Sequence, residues 1–232
     1  MPSRISIETA PGEPVTALVY AAPRGKRAGI SLLLAHGAGG NQMSPFMVEF
    51  ASGLAERGID AVTFNFVYSE QRRKLPDRND KLEACWRAVI AAARSGAIVP
   101  ELARGALVIG GKSMGGRIAS QVAAVDPEGI AALVLLGYPL HPPGRPDQLR
   151  TRHLPAISVP MLIVQGERDA FGTPDELRPV LRKLKAKSQL YVVEGGDHSF
   201  KVPKSAGRPQ PQIHARVLDE IERWLRATIA LS

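Results

Sequence analysis

Short, continuously apolar runs alternate with longer amphipathic stretches along this chain, and this alternation constrains the fold more than any other feature. Most of the runs are bounded by glycine or proline. Strands that are buried on both faces of a parallel sheet have this character. The runs predict strands over Val15–Tyr20, Ile30–Ala35, Ile59–Phe64, Ala106–Gly110, Ala132–Leu136, Pro160–Gln165 and Gln189–Val193, with Arg4–Glu8 as an edge strand.

The stretches between the runs have the apolar periodicity of helices. They predict helices over Pro45–Arg57, Asp80–Ser95, Gly115–Val125, Pro174–Lys187 and Pro211–Thr228. Strands that alternate with helices of this length form βαβ units. The predicted fold is therefore α/β, with a mostly parallel central sheet of about seven or eight strands and helices on both faces. The chain has 232 residues and no repeat or linker-like tract, so we expect residues 1–232 to form a single domain.

Composition limits the class of protein. Hydrophobic residues make up 44% and charged residues 22%, which is typical of a folded globular chain. No apolar stretch approaches the roughly 18 residues of a membrane helix, and the first residues lack the apolar segment of a secretory signal. We therefore expect a soluble, cytoplasmic protein that does not bind membranes. The single cysteine, Cys85, excludes an internal disulfide and a cysteine-based zinc site.

The formal net charge of +8 raises the question of nucleic-acid binding. The basic residues are scattered along the chain, however, and aromatic residues make up only 5% of it. Because the chain has few aromatic side chains, it offers few platforms on which bases could stack. The charge pattern favours a solvated basic surface over a nucleic-acid site.

The most informative motif is Gly111-Lys112-Ser113-Met114-Gly115, a G-x-S-x-G sequence. An apolar run precedes it and a helical pattern follows, which is the context of a nucleophile elbow, a sharp turn that exposes a reactive serine. The same residues also fit a relaxed phosphate-loop pattern that begins at Ala106. A phosphate loop needs its four variable residues in the loop, around the phosphates. Here those four belong to the predicted strand, which argues against nucleotide binding.

A serine nucleophile needs a base, and the base needs an acid that orients it. On this kind of sheet the acid follows the serine in the chain and the histidine comes last. Asp169 and His198 fit that order, because each follows its own strand at the edge where parallel sheets place ligands. Glu167 and Asp175 remain alternatives for the acid.

His36 also ends a strand, in the glycine-rich sequence His36-Gly37-Ala38-Gly39-Gly40. Acyl transfer needs two backbone N–H donors for its oxyanion. We expect one from Met114 and the other from Ala38, with Gly39 as the alternative. His36 precedes the serine, so we interpret it as a turn-stabilising residue with local hydrogen bonds. The other histidines lack a strand-end position and are expected at the surface: His141, His153 and His214.

The motifs HGAGG, GKSMGG, GERDAFG and GGDHSF, between Ile30 and Phe200, resemble those of the α/β-hydrolase superfamily. GKSMGGRIAS, GYPLHPPG and GGDHSFKVPK resemble a narrower, dienelactone-hydrolase-like branch. That branch includes a testis-expressed hydrolase-like protein and the hydrolase-like domain of a chromatin-complex subunit. The resemblance implies that Ser113 is the nucleophile, His198 the base and Asp169 the acid. Dienelactone hydrolases proper use a cysteine nucleophile, so their lactone substrate does not carry over.

Only about two dozen residues separate the runs that end at Leu136 and begin at Pro160. That length accommodates a loop and one short helix near Asp147–His153, so we predict no lid domain and an open site. Four aromatic residues near strand ends are candidates for substrate contacts, with core or rim positions equally open: Phe66, Tyr68, Tyr138 and Phe171.

The predicted function is a serine hydrolase that cleaves an ester, thioester or related acyl bond of a small-molecule substrate through an acyl-enzyme. This chemistry needs no metal and no organic cofactor. Esterases, thioesterases, peptidases and acyltransferases share these motifs, so the bond that is cleaved stays open, as does the oligomeric state. The alternative is a hydrolase-like binding or regulatory protein without useful turnover.

Overall fold

A computed structural model describes residues 2–99, 104–203, 205 and 207–229. Over those residues the centre of the fold is an eight-stranded sheet in the order β1-β2-β4-β3-β5-β6-β7-β8. Strand β2 is antiparallel to β1 and β4, and all other neighbours are parallel. The strands are β1 (Ser3–Glu8), β2 (Pro14–Tyr20), β3 (Ile30–Ala35), β4 (Asp60–Phe64), β5 (Ala106–Lys112), β6 (Ala132–Leu136), β7 (Met161–Gly166) and β8 (Ser188–Val193).

Helices cover both faces of this sheet. They are α1 (Pro45–Glu56), α2 (Val67–Glu70), α3 (Asn79–Arg94), α4 (Met114–Val125), α5 (Pro174–Leu181) and α6 (Gln210–Ile229). Successive residues of β3 divide between two buried clusters, with Leu32 and Leu34 facing α1 and α6 and Leu33 and Ala35 facing α3 and α4. The predicted mostly parallel sheet with helices on both faces is confirmed. No helix among the described residues is both long and apolar enough to cross a membrane.

Helix α5 ends at Leu181, six residues before the predicted end at Lys187. The next two hydrogen bonds, from Lys183 to Val180 and from Leu184 to Leu181, span three residues rather than four. The chain therefore tightens into a turn, because it must reverse before β8 begins. The four-residue helix α2 was not predicted from the sequence.

The connection from β6 to β7 is a loop with one 3₁₀ turn, Leu154–Ala156, which confirms the predicted lack of a lid domain. This 3₁₀ turn lies directly after the region Asp147–His153, near which the sequence allowed one short helix. The N–H of Arg150 bonds to the carbonyl of Leu140, at 2.8 Å. This bond ties the segment back to the end of β6 instead of into a helical turn.

The centre of the sheet depends on Gly110 in β5. A Cβ atom there would lie 1.9 Å from the carbonyl oxygen of Val134 in β6, closer than real Cβ contacts allow. We expect Gly110→Ala to lower the free energy of unfolding by at least about 3 kcal/mol, because backbone must move. Urea unfolding measures this, with Gly25→Ala as the control. A Cβ at Gly25 meets nothing within 4 Å. Equal losses in both variants would contradict the prediction.

Candidate active site

Ser113 occupies the sharp turn between β5 and α4, with φ 52° and ψ −117°. Non-glycine residues seldom adopt a positive φ, so this turn is strained. Its N–H donates to the carbonyl of Leu136, at 2.9 Å, which anchors the turn to β6. Gly115 lets the turn approach β3, since a Cβ there would lie 2.3 Å from the carbonyl oxygen of Ala35. The structure thus has the geometry expected of a nucleophile elbow.

A continuous hydrogen-bond chain joins Ser113, His198 and Asp169. The His198 Nε2 atom lies 2.8 Å from Ser113 Oγ, and Nδ1 lies 2.7 Å from Asp169 Oδ2. A neutral imidazole fits both contacts when Nδ1–H donates to the carboxylate and Nε2 accepts from the hydroxyl. The structure therefore brings the three residues named from the sequence into the geometry of a serine, a base and an orienting acid.

Asp169 is held rigidly. Its Oδ2 atom also accepts from Gln165 Nε2, at 2.9 Å, and Oδ1 accepts from the Phe171 N–H, at 2.8 Å. The side chain is fully buried. The two alternative acids bond elsewhere: Glu167 accepts from the Gly195 N–H, and Asp175 is exposed and faces Arg178. Asp169 is the one of these three carboxylates that bonds to His198.

Lys112 links the serine turn to the histidine loop. This buried lysine donates from Nζ to the carbonyl of His198, at 2.5 Å. Nζ also lies 5.8 Å from the ring centre of Phe46 and 5.9 Å from that of Phe200. Burial lowers the pKa of Lys112 to about 8, although the nearby carboxylates of Asp169 and Asp197 oppose this shift. The contact fixes the His198 main chain to the end of β5.

A cavity of about 330 Å³ opens beside the serine. Ser113, Met114 and Ala38 all line it, whereas Gly39 is not among the lining residues. Met114 is the first residue of α4, so its N–H is one of those that have no acceptor within the helix. These positions favour Met114 and Ala38 as oxyanion donors over the alternative, Gly39.

Of the four aromatic residues named from the sequence, only Phe171 lines this cavity. Its ring centre lies 4.2 Å from that of His198. Phe66, Tyr68 and Tyr138 are at most 2% exposed, so the expectation of substrate contacts is corrected for these three. Phe66 and Tyr68 pack against the His36 ring, and the Tyr138 hydroxyl donates to the Arg150 carbonyl.

Most residues of the cavity wall were not predicted from the sequence. Arg117 follows Ser113 by four residues on α4, so helical spacing could have placed it on the same face. The other residues come from loops and from α3, where no motif marks them. The missed lining residues are Pro76, Asp77, Asn79, Leu82, Arg117, Pro139 and Arg150.

His36 has the local role expected from the sequence. It is fully buried, its Nδ1 lies 2.8 Å from the Gly37 carbonyl oxygen, and the Phe66 N–H donates to Nε2, at 3.3 Å. This pattern requires a neutral ring with the proton on Nδ1. Burial lowers the pKa of His36 to about 4, although the bond to Gly37 partly opposes the shift.

The pKa of His36 predicts a pH-dependent stability. In the unfolded chain the ring takes up a proton near pH 6.5, whereas the folded protein resists protonation down to about pH 4. The free energy of unfolding should therefore decrease as the pH is lowered through this window. His36 should account for roughly 3 kcal/mol of this decrease. Urea unfolding at pH 7 and pH 4.5 tests this. His36→Asn should reduce the pH dependence, and an unchanged dependence would contradict the prediction.

The remaining histidines differ from their expected surface positions. His141 and His214 are 5% and 7% exposed. His141 contacts Glu176, while His214 lies against Glu49 and packs near the rings of Phe46 and Phe50. Both rings are thus buried beside a carboxylate, His214 on the amphipathic helix α6 and His141 in the loop after β6. His153 is partly buried and bonds to Ser120, at 2.7 Å.

The described chain also holds other cavities and one buried thiol. A second cavity of about 330 Å³ lies between β8 and α6, around Trp224, away from Ser113. Burial raises the pKa of the Cys85 thiol to about 12, which suppresses its reactivity. Within the described ranges, no cluster of three or more His, Cys, Asp or Glu side chains is arranged to hold a metal ion.

Known proteins share this architecture. Residues 28–226 match the model of a family described as an alpha/beta hydrolase domain. A lidless serine hydrolase from Xanthomonas campestris superposes with a TM-score of 0.74 at 20% identity, covering 96% of this chain and 94% of that one. Est1E from Butyrivibrio proteoclasticus gives 0.75 at 15% identity, with coverage of 98% and 99%. A dienelactone hydrolase from Anabaena variabilis gives 0.69 at 21% identity, with coverage of 96% for both chains.

Proposed function

Because the chain belongs to the alpha/beta hydrolase family, we propose that it is a serine hydrolase that cleaves an ester, thioester or related acyl bond. The observation that carries this proposal is the hydrogen-bond chain from Ser113 through His198 to Asp169, with separations of 2.8 and 2.7 Å. An inert member of the fold would need neither the strained serine nor the buried, oriented carboxylate.

The proposed mechanism follows from these contacts. His198 Nε2 takes the hydroxyl proton as Ser113 Oγ attacks the carbonyl carbon, and the N–H groups of Met114 and Ala38 hold the oxyanion. The tetrahedral intermediate collapses, and the leaving group departs with the proton from His198. A water molecule then attacks the acyl-enzyme and loses a proton to His198, which returns that proton to Ser113 Oγ as the carboxylic acid leaves. Asp169 keeps the imidazole oriented and stabilises its protonated form.

We further propose short or exposed acyl groups as substrates. The loop between β6 and β7 holds no lid domain, and the cavity beside Ser113 has a volume of about 330 Å³. We infer that a cavity of this size favours small acyl groups over extended chains. We also propose that the chain forms a single domain and acts in the cytoplasm. The narrower dienelactone-hydrolase-like branch, with its testis-expressed and chromatin-complex members, is proposed from the sequence motifs alone.

A series of 4-nitrophenyl esters from acetate to decanoate tests the proposed function. We expect burst release of nitrophenol, and kcat/KM no higher for decanoate than for butyrate, since an uncapped pocket binds few additional methylenes. The Ser113→Ala variant, assayed with the same esters, gives the background rate of hydrolysis. Rates that rise steadily to decanoate would contradict the short-chain prediction. No turnover of any ester by folded protein would instead favour the binding-protein alternative.

A further inference from the structure

Two arginine side chains share the cavity with Ser113. Arg117 lies on α4, one helical turn after the serine, and its N–H donates to the Ser113 carbonyl, at 3.0 Å. Arg150 comes from the loop after β6. Both line the same cavity of about 330 Å³ as Ser113 and Met114. The proposed nucleophile therefore faces a space that is bordered by two positive charges.

Neither arginine forms an ion pair with a carboxylate in the part of the chain that the structure describes. Arg117 Nη1 donates to Asn79 Oδ1 and Gln121 Oε1, both at 3.3 Å. Arg150 Nη1 donates to the carbonyl of Pro139, at 3.5 Å. All three acceptors are neutral, and each guanidinium carries further N–H donors. Elsewhere the chain pairs arginines directly with acids, as in the 2.6 Å contact of Arg57 with Asp219.

The two like charges influence each other. The pKa of Arg117 is lowered, first by burial and then by the charge of Arg150. The pKa of His153 is lowered to about 4, by burial and by the charge of Arg117. Repulsion between two partly buried guanidinium groups destabilises the empty site, and a bound anion would relieve it.

The carboxylate that lines the cavity, that of Asp77, does not offset these charges. It contacts Arg73, at 2.5 Å, and accepts from the Tyr68 N–H, at 2.9 Å, and its side chain is 7% exposed. Its charge is thus already balanced by a third arginine. Glu83 acts on Arg117 only through space, and it is bonded by Asn79 and Arg87.

We propose that Arg117 and Arg150 bind an anionic group of the substrate, a carboxylate or a phosphate, so that the enzyme prefers small acyl esters that carry a second, negatively charged group. Planar guanidinium groups match the two oxygens of such anions. The proposal rests on the proposed hydrolase function and extends it to substrate class. It predicts that the cavity itself distinguishes anionic from neutral substrates, in addition to any general attraction of anions to the basic surface.

The test compares two substrates of similar shape, 4-nitrophenyl hydrogen glutarate and its neutral terminal amide. We expect the wild-type protein to have a kcat/KM about 10- to 100-fold higher for the acid. In the double variant Arg117→Gln, Arg150→Gln, the ratio of kcat/KM for the acid to kcat/KM for the amide should approach one. Arg145→Gln is the matched control, because it removes one exposed charge from the same loop, and it should keep the wild-type ratio.

Inhibition distinguishes the two anions. Glutarate and inorganic phosphate are compared as competitive inhibitors of butyrate ester hydrolysis, and the lower inhibition constant identifies the anion that the cavity fits. A wild-type ratio near one would overturn the proposal even if the variants failed to fold. A ratio that Arg145→Gln reduces as much as the paired variant would also overturn it.

Failure of the proposed function has a different signature. If the folded protein hydrolyses neither ester, the hydrolase proposal fails. Calorimetric titration of glutarate and of phosphate into the wild-type protein and the Arg117→Gln, Arg150→Gln variant then decides the binding claim. Heat of binding that the variant loses would support the anion site, and no heat of binding for either anion would overturn it.

Discussion

Ser113→Ala is expected to lower kcat/KM for a short-chain ester by at least about 10,000-fold, with the fold unchanged. The substitution removes the Oγ atom that lies 2.8 Å from His198 Nε2. It leaves the backbone contact of the turn with Leu136, since that bond uses the N–H. Ester hydrolysis, with circular dichroism and urea unfolding as controls, measures both parts of the prediction.

Two outcomes would contradict this expectation. Activity within tenfold of the wild-type value would show that another group attacks the ester. Loss of activity together with loss of the folded state would assign the serine a structural role. Cys85 is a poor substitute nucleophile, because it is buried and its thiol pKa is raised to about 12.

Asp169→Asn is expected to lower kcat by about 10,000-fold. The carboxylate accepts simultaneously from His198 Nδ1, Gln165 Nε2 and the Phe171 N–H. An amide has only one acceptor oxygen and adds two donors. When its nitrogen faces His198, the imidazole must carry its proton on Nε2, where it can no longer accept from Ser113.

The matched control for Asp169→Asn is Asp175→Asn. Asp175 was an alternative acid from the sequence, but its side chain is 94% exposed. The control should keep wild-type kcat, which the same ester assay measures. A larger loss in Asp175→Asn than in Asp169→Asn would reverse the assignment of the acid. Activity of Asp169→Asn above a tenth of the wild-type value would contradict an orienting role.

The sheet was predictable because its strands are buried on both faces. Runs such as Ile30–Ala35 and Ala132–Leu136 have the same bounds in the structure as in the sequence analysis. The order of Ser113, Asp169 and His198 was predictable for a related reason. Each follows a parallel strand, and such strands end at one edge of the sheet.

The cavity wall was not predictable in the same way. All four candidate aromatic residues lie near strand ends. Phe66, Tyr68 and Tyr138 are nevertheless buried in the core, whereas Phe171 lines the cavity. Periodicity indicates which face of a strand is apolar, but loops have no period that fixes side-chain direction. Arg150 lines the same cavity as Arg117, and it lies in a loop where its N–H bonds back to the carbonyl of Leu140.

The most direct test of the central claim is intact mass after exposure to a fluorophosphonate, with peptide mapping of the adduct. We expect one adduct on Ser113, at least about 100-fold slower labelling in His198→Ala, and none in Ser113→Ala. No adduct on folded wild-type protein, or equal labelling in Ser113→Ala, would contradict an activated serine in this site.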